Sequence, residues 1–267
     1  MMDVSVPELL LEHVEGDIVL LTMNRPQAKN TVSFTMWEEF SAALDAIERG
    51  TPPRAVILCG AQGHFSNGGD VKMPPSRGEG ALALAARLEM GQRIIARLRA
   101  LPCPTIAAVE GGAHGVSWSL ALACDLVYCA DNAQFSAPFI AYGLVPDGGA
   151  AWFLGRRLGR QKAAEIIYSG RTVHACEAET LGLVSRLLPP GSVVEEALAF
   201  ARQLVNRHAA ELSKRLLHMA ESSDLHGCHS LELVYCHTAQ AGPEVKAARE
   251  AVLARAAAKK AAAEQQN

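Results

Sequence analysis

The sequence predicts an α/β protein built on a parallel sheet, followed by a purely helical C-terminal region. Short apolar runs at 55–58, 105–109 and 126–130 alternate with longer stretches of helical periodicity, the pattern of parallel crossover units. Glycine-containing turns follow the first two runs, at 64–70 and at 111–115. From about Ser192 onward only helical periodicity remains.

In chain order, residues 17–23 read as a strand stopped by Asn24-Arg25-Pro26, since proline removes a ladder donor. Thr35 with Glu38 fits a capping box for a helix carrying Trp37, Phe40, Leu44 and Ile47 on one face. Pro52-Pro53 leads into the strand at 55–58. The polar stretch 74–80 reads as a mobile segment or lid. A long helix is expected over 81–100, with Leu84, Leu88, Ile94, Ile95 and Leu98 apolar, ended by Pro102-Cys103-Pro104. The run 105–109 is a buried strand, and 116–124 is apolar enough for a core helix. Strands at 126–130 and 133–135, a loop over 138–149 and an apolar segment at 152–158 follow. Helices are expected at 193–206, 211–220, 231–240 and 244–260. The domain division is 1–191 for the core and 192–267 for the helical region.

The turn at 111–115 delivers a helix N-terminus, whose first N–H groups lack partners and whose dipole favours negative charge. Gly68-Gly69 lets backbone N–H groups of the other turn approach a ligand closely. Two strand-to-turn sites facing one developing oxyanion are therefore expected.

Composition narrows the function. The 25 basic residues against 28 acidic ones give a formal charge of −3 with no basic block beyond Lys259-Lys260, which argues against a nucleic-acid surface. Seven scattered cysteines, mostly among apolar neighbours, read as buried thiols of a reducing compartment. Cys228 with His226 and His229 lacks a second ligand cluster, so no metal is expected. With no signal-peptide pattern and no apolar run long enough for a bilayer, the reading is a soluble, cytoplasmic protein.

Asn24-Arg25-Pro26, Phe65-Ser66-Asn67-Gly68-Gly69-Asp70, the stretch 104–125 and the stretch 135–149 together resemble the enoyl-CoA hydratase/isomerase (crotonase) superfamily, in order and spacing, over about residues 8–255. Ser169-Gly170-Arg171 and Leu181-Gly182-Leu183-Val184 fit the same resemblance. It implies a crotonase-like spiral of β-β-α units with a C-terminal helical trimerisation region, assembled as a homotrimer or hexamer. It also implies an acyl-CoA substrate, with coenzyme A part of that substrate rather than a cofactor. The thioester oxygen would lie between the N–H groups of Gly69 and Val116. The CoA end would run along Arg25, Gln27, Ala28, Gly68, Asp70, Val71 and Lys72.

The sequence departs from the family where hydratases carry two glutamates: here stand Ser119 and Phe139, and neither moves a proton as a carboxylate does. Val116 replaces the usual glycine, and Glu110 a common asparagine. One carboxylate remains in the right loop. Asp147, in Val145-Pro146-Asp147-Gly148-Gly149, matches the position where some superfamily isomerases and an aryl-CoA dehalogenase carry a working aspartate. It is read as the proton shuttle of a double-bond isomerase, with an N-cap role as its structural counterpart. His114 is a second candidate for polarising substrate or moving a proton, against a purely backbone-bonding role. Ser119 is expected to bond the carbonyl of the preceding turn, and Tyr142 to line an acyl pocket or simply pack. Three alternatives stand beside the isomerase: a hydratase using Asp147 alone, a hydrolase or dehalogenase with Asp147 as nucleophile, and a non-catalytic CoA- or RNA-binding homologue.

Overall fold

The computed structural model describes residues 6–72 and 85–264, in two compact units that meet in sequence at Leu204 and Val205. The stretch expected as a lid, 74–80, and residues 81–84 of the expected long helix lie outside the described residues.

The first unit is organised by a six-stranded sheet. Its strands are β1 (Leu9–Val14), β2 (Ile18–Met23), β3 (Ala55–Gly60), β4 (Thr105–Val109), β6 (Leu126–Ala130) and β9 (Arg186–Leu188), hydrogen-bonded in that order. β1 pairs antiparallel with β2, and every later pair is parallel. In β4 all five residues are buried, and in β3 all but the terminal Gly60. Parallel strands covered on both faces read as unbroken apolar runs, which is why both are visible in the sequence. A second, three-stranded sheet joins β5 (Gly112–His114), β7 (Gln134–Ser136) and β8 (Thr172–His174).

Helix α1 (Phe34–Arg49) buries Trp37, Phe40, Leu44 and Ile47 as its spacing implies. Its cap is Ser33, not Thr35: the backbone at Ser33 is extended and its hydroxyl accepts from the Met36 amide, leaving Thr35 inside the first turn. Helix α2 (Ala86–Ala100) buries Ile94, Ile95 and Leu98, whereas Leu88 is 43% exposed. α1 and α2 approach closely at Gly91, where a Cβ would stand 3.2 Å from the Trp37 ring.

Every residue of α3 (Val116–Ala123) is buried. Then come α4 (Ala150–Leu158), α5 (Arg160–Ser169), α6 (Ala175–Thr180) and α7 (Val193–Gln203). α7 packs on β3, β4 and β6, and Glu110 Oε1 accepts from the Gly191 and Val193 amides at its start. The first unit runs through α7. The second unit holds α8 (Arg207–Ala220), α9 (Leu225–Ala241) and α10 (Pro243–Glu264), with Asp224 capping α9 through the Gly227 amide. Leu233, Val234, Val252 and Leu253 are exposed in it. No described helix is long and apolar enough to cross a membrane, and among the described residues no three metal-ligating side chains cluster.

Candidate active site

The two glycine turns are laced together by their backbones. Phe65 donates to the Glu110 carbonyl (2.8 Å), Ser66 donates to Gly112 (3.0 Å), and His114 donates back to Ser66 (3.1 Å). The Ser117 hydroxyl, on the first turn of α3, adds a bond to the Ser66 carbonyl at 2.7 Å. Gly68 sits at φ +89°, and a Cβ there would lie 2.4 Å from the His114 carbonyl oxygen. Only glycine permits that approach.

Gly69 forms a parallel bridge with Val32 in which Val32 donates to Gly68 (2.8 Å) and Asp70 donates to Val32 (3.1 Å). Such a bridge uses the residues on either side of Gly69, so its own N–H is left out of the ladder. Val116 opens α3 after Gly115, at φ +56°, and its N–H belongs to the first helical turn, which has no intrahelical acceptor. Neither N–H donates to another group among the described residues. Gly69 and Val116 line one small cavity of about 30 Å³, together with Trp37, Arg87, Asp147 and Gly148. The space is tight around Gly148, where a Cβ would meet Ile95 Cδ1 at 2.8 Å and Val116 Cγ2 at 3.0 Å.

Asp147 reaches this cavity from the loop before α4. Its carbonyl accepts from the Ala150 amide and from the Ser119 hydroxyl, both at 3.0 Å. Ser119 thus ties α3 to the Asp147 loop rather than bonding its own preceding turn. The carboxylate caps nothing: the N-cap of α4 is Gly149, at φ +86°, with no side chain to accept from the helix. Asp147 Oδ1 is buried without a hydrogen-bond partner among the described residues. Burial is the main cause that lifts the carboxyl to about 6, opposed by the Arg87 charge and by its own amide.

The folded state holds the proton up to about pH 6, while a free aspartate releases it near 3.8. Whatever stability the protonated group contributes is complete below about pH 3.8 and is lost as pH rises through 6. Asp147→Asn is therefore expected to raise stability at pH 7.5 by roughly 2 kcal/mol and to lose most of that gain at pH 4. The size follows from about 1.4 kcal/mol for each tenfold change in proton affinity, reduced for partial exposure. Urea unfolding of both proteins at the two pH values measures it.

The other expected site residues are distributed differently. His114 does not line the cavity. Its Nδ1 shares a hydrogen bond with the Ser136 hydroxyl at 2.8 Å, its ring stacks on His64 with centroids 6.4 Å apart, and burial pushes its pKa down. Phe139 is buried, and Tyr142 is 65% exposed and outside the cavity. Arg25 is occupied internally: Nε pairs with Glu8 (3.1 Å), Nη2 with Asp70 (3.1 Å), and Nη1 donates to the Thr31 carbonyl (2.7 Å). Its role is to fasten the 24–31 loop to the 66–72 loop, which Asn67 joins again by donating to the Lys29 carbonyl at 3.0 Å. Gln27, Lys29, Val71 and Lys72 are exposed along the rim so formed, with Ala28 half-buried among them and Asp70 beneath, its Oδ1 accepting from the Lys72 amide. Arg87 is a cavity residue that the sequence does not announce, because it lies on a charged helix face that reads as solvated.

Comparison with known proteins places the family and the fold. Residues 13–257 match the family model described as enoyl-CoA hydratase/isomerase. A protein of Rhizobium meliloti named "Probable enoyl-CoA hydratase" is 36% identical over 199 residues, 74% of this chain and 76% of that protein. The crystal structure of an enoyl-CoA hydratase from Polaromonas sp. JS666 superposes with a TM-score of 0.87 at 32% identity, over 92% of this chain and 97% of that one. An enoyl-CoA hydratase structure from Bacillus anthracis gives 0.88 at 26% identity, over 93% and 96%. The architecture is thus that of a crotonase-fold protein. The chain belongs to the enoyl-CoA hydratase/isomerase family.

Proposed function

We propose that the protein moves a double bond along the acyl chain of an acyl-CoA thioester, with Asp147 as the proton carrier and the Gly69 and Val116 N–H groups as the oxyanion hole. The observation that carries this reading is the cavity itself, which is lined by two backbone donors and by a carboxyl whose buried Oδ1, like them, has no partner among the described residues.

The chemistry follows from those groups. The Asp147 carboxylate removes a proton from C2 of a 3-enoyl thioester. The electron pair of the broken C–H bond spreads through the alkene onto the thioester oxygen, giving a dienolate. Preorganised N–H donors stabilise such an oxyanion, and one donor is typically worth about 3 kcal/mol of barrier. Protonated Asp147 then returns the proton to C4, which leaves the double bond between C2 and C3 and regenerates the carboxylate. A carboxyl held at about 6 is ionised at neutral pH yet a stronger base than a free aspartate, as the first step requires. Activity is expected to fall as pH drops through 6.

The CoA end would follow the rim of Gln27, Ala28, Val71 and Lys72, with the exposed Lys29 and Lys72 facing its phosphates. Arg25 serves as the clasp beneath them. Exposed apolar residues of α9 and α10 suit a subunit contact of a trimer or hexamer, and a cytoplasmic setting suits cysteines that form no disulfide.

Hydration is the second reading, favoured by the names of the relatives. It meets a chemical obstacle here: Ser119 and Phe139 stand where two carboxylates are expected, and the Ser119 hydroxyl is engaged by the Asp147 carbonyl. Mass spectrometry of the products from 2-enoyl- and 3-enoyl-CoA separates the two. An unchanged mass with a shifted double bond supports isomerisation, and gain of one water supports hydration.

A further inference from the structure

The cavity holds two opposite charges that do not meet. Arg87, half-buried near the start of α2, donates Nη1 to the Asp70 carbonyl at 3.2 Å. Its Nε and Nη2 donate to nothing among the described residues. Asp147 lines the same cavity with Oδ1 buried and unpartnered, and the two side chains form no ion pair. A guanidinium and a carboxylate enclosed together ordinarily pair, since unpaired buried charge is costly. The other described lining residues offer backbone or apolar groups, apart from the Gln92 amide.

Arg87 is also fixed in place. Its bond to the Asp70 carbonyl anchors it to the loop that carries Gly69, while its helix packs against α1 at Gly91. The remaining edge of the guanidinium is a planar pair of donors, the shape that recognises a carboxylate through two parallel bonds.

We propose that Arg87 selects acyl groups carrying a second carboxylate, so that the substrate is the mono-CoA thioester of a dicarboxylic acid. This rests on the reading that the cavity receives the acyl group. Among the described residues the charged groups facing the substrate carboxylate there are Arg87 and Asp147, and the guanidinium both attracts the anion and offsets its repulsion by the Asp147 carboxylate.

Binding of saturated thioesters tests this without any proton transfer, so the outcome is independent of Asp147's chemistry. Titration calorimetry at pH 7.5 would compare succinyl- with butyryl-CoA, glutaryl- with pentanoyl-CoA, and adipoyl- with hexanoyl-CoA. The expected result is at least tenfold tighter binding of the dicarboxylic member in one or more pairs, lost in Arg87→Gln and partly kept in Arg87→Lys. Equal affinity within every pair of the wild-type protein would overturn the assignment. So would a preference that survives in Arg87→Gln. Loss of affinity for both members of each pair in Arg87→Gln, with no wild-type preference, would make Arg87 only a clasp of the Asp70 loop.

Discussion

Asp147→Asn is expected to lower the rate of double-bond migration by about a thousandfold while leaving the affinity for a saturated acyl-CoA within a few-fold of wild type. Positioned acid–base groups contribute roughly 10² to 10⁴ in rate, and among the described residues lining the cavity the other titratable group is Arg87, which cannot give up its proton. The amide is nearly the same size, so the packing around Gly148 is preserved. The same substitution is expected to stabilise the fold at neutral pH, so the loss of rate cannot be ascribed to unfolding. Opposite signs in the two measurements are the signature of a group kept strained for chemistry. A parallel loss of rate and stability would instead make Asp147 a structural residue.

Gly68→Ala is expected to cost on the order of 3 kcal/mol or more, and to lower Tm by roughly 10 °C. Two effects add at this position. A positive φ of 89° strains any L side chain, and the new methyl would sit 2.4 Å from the His114 carbonyl, a backbone atom that cannot swing aside. Gly16→Ala is the internal control, because Gly16 has φ +82° but open space around its Cβ position, so it reports strain alone. The difference between the two variants measures the close approach of the two turns. Since that approach sets Gly69 against Val116, any folded Gly68→Ala protein is also expected to lose activity at saturating substrate. A thermal melt and a turnover assay on both variants check this.

What the sequence discloses follows from how local each feature is. The strands at 105–109 and 126–130 are legible to the residue because parallel strands buried along all or nearly all their length carry continuous apolar runs. The stripe of α1 is legible because helical spacing needs no partner to be recognised. The short strands Gly112–His114 and Thr172–His174 are not, since three residues without alternation become strands only through the partners that tertiary structure supplies. The hairpin strand Leu9–Val14 is equally hidden, its mixed pattern making sense only where β2 pairs with it.

The candidate site shows the same division. Asp147, Gly69 and Val116 can be named from turn chemistry and from the family resemblance, and they do share one cavity. Arg25 reads in the sequence as a cation open to a ligand, because its partners Glu8 and Asp70 are distant along the chain. His114 reads as a site residue because nothing local announces that Ser136 takes its ring nitrogen. The capping role for Asp147 fails on one backbone angle: with Gly149 in the left-handed region as the cap residue, the aspartate is displaced from the helix start and left facing the cavity. Arg87 carries no motif, and only the fold brings it beside Asp147.

In the proposed reaction Asp147 exchanges a proton with the acyl chain beside the two backbone donors. The most direct measurement is to incubate the protein with a 3-enoyl-CoA in deuterated water and follow label at C2 and C4, alongside Asp147→Asn. Label entering C2 or C4, or migration of the double bond, in wild type and not in the variant is the expected result. Binding of the thioester with neither label nor migration in wild type, or equal exchange in both proteins, would rule out this role for Asp147.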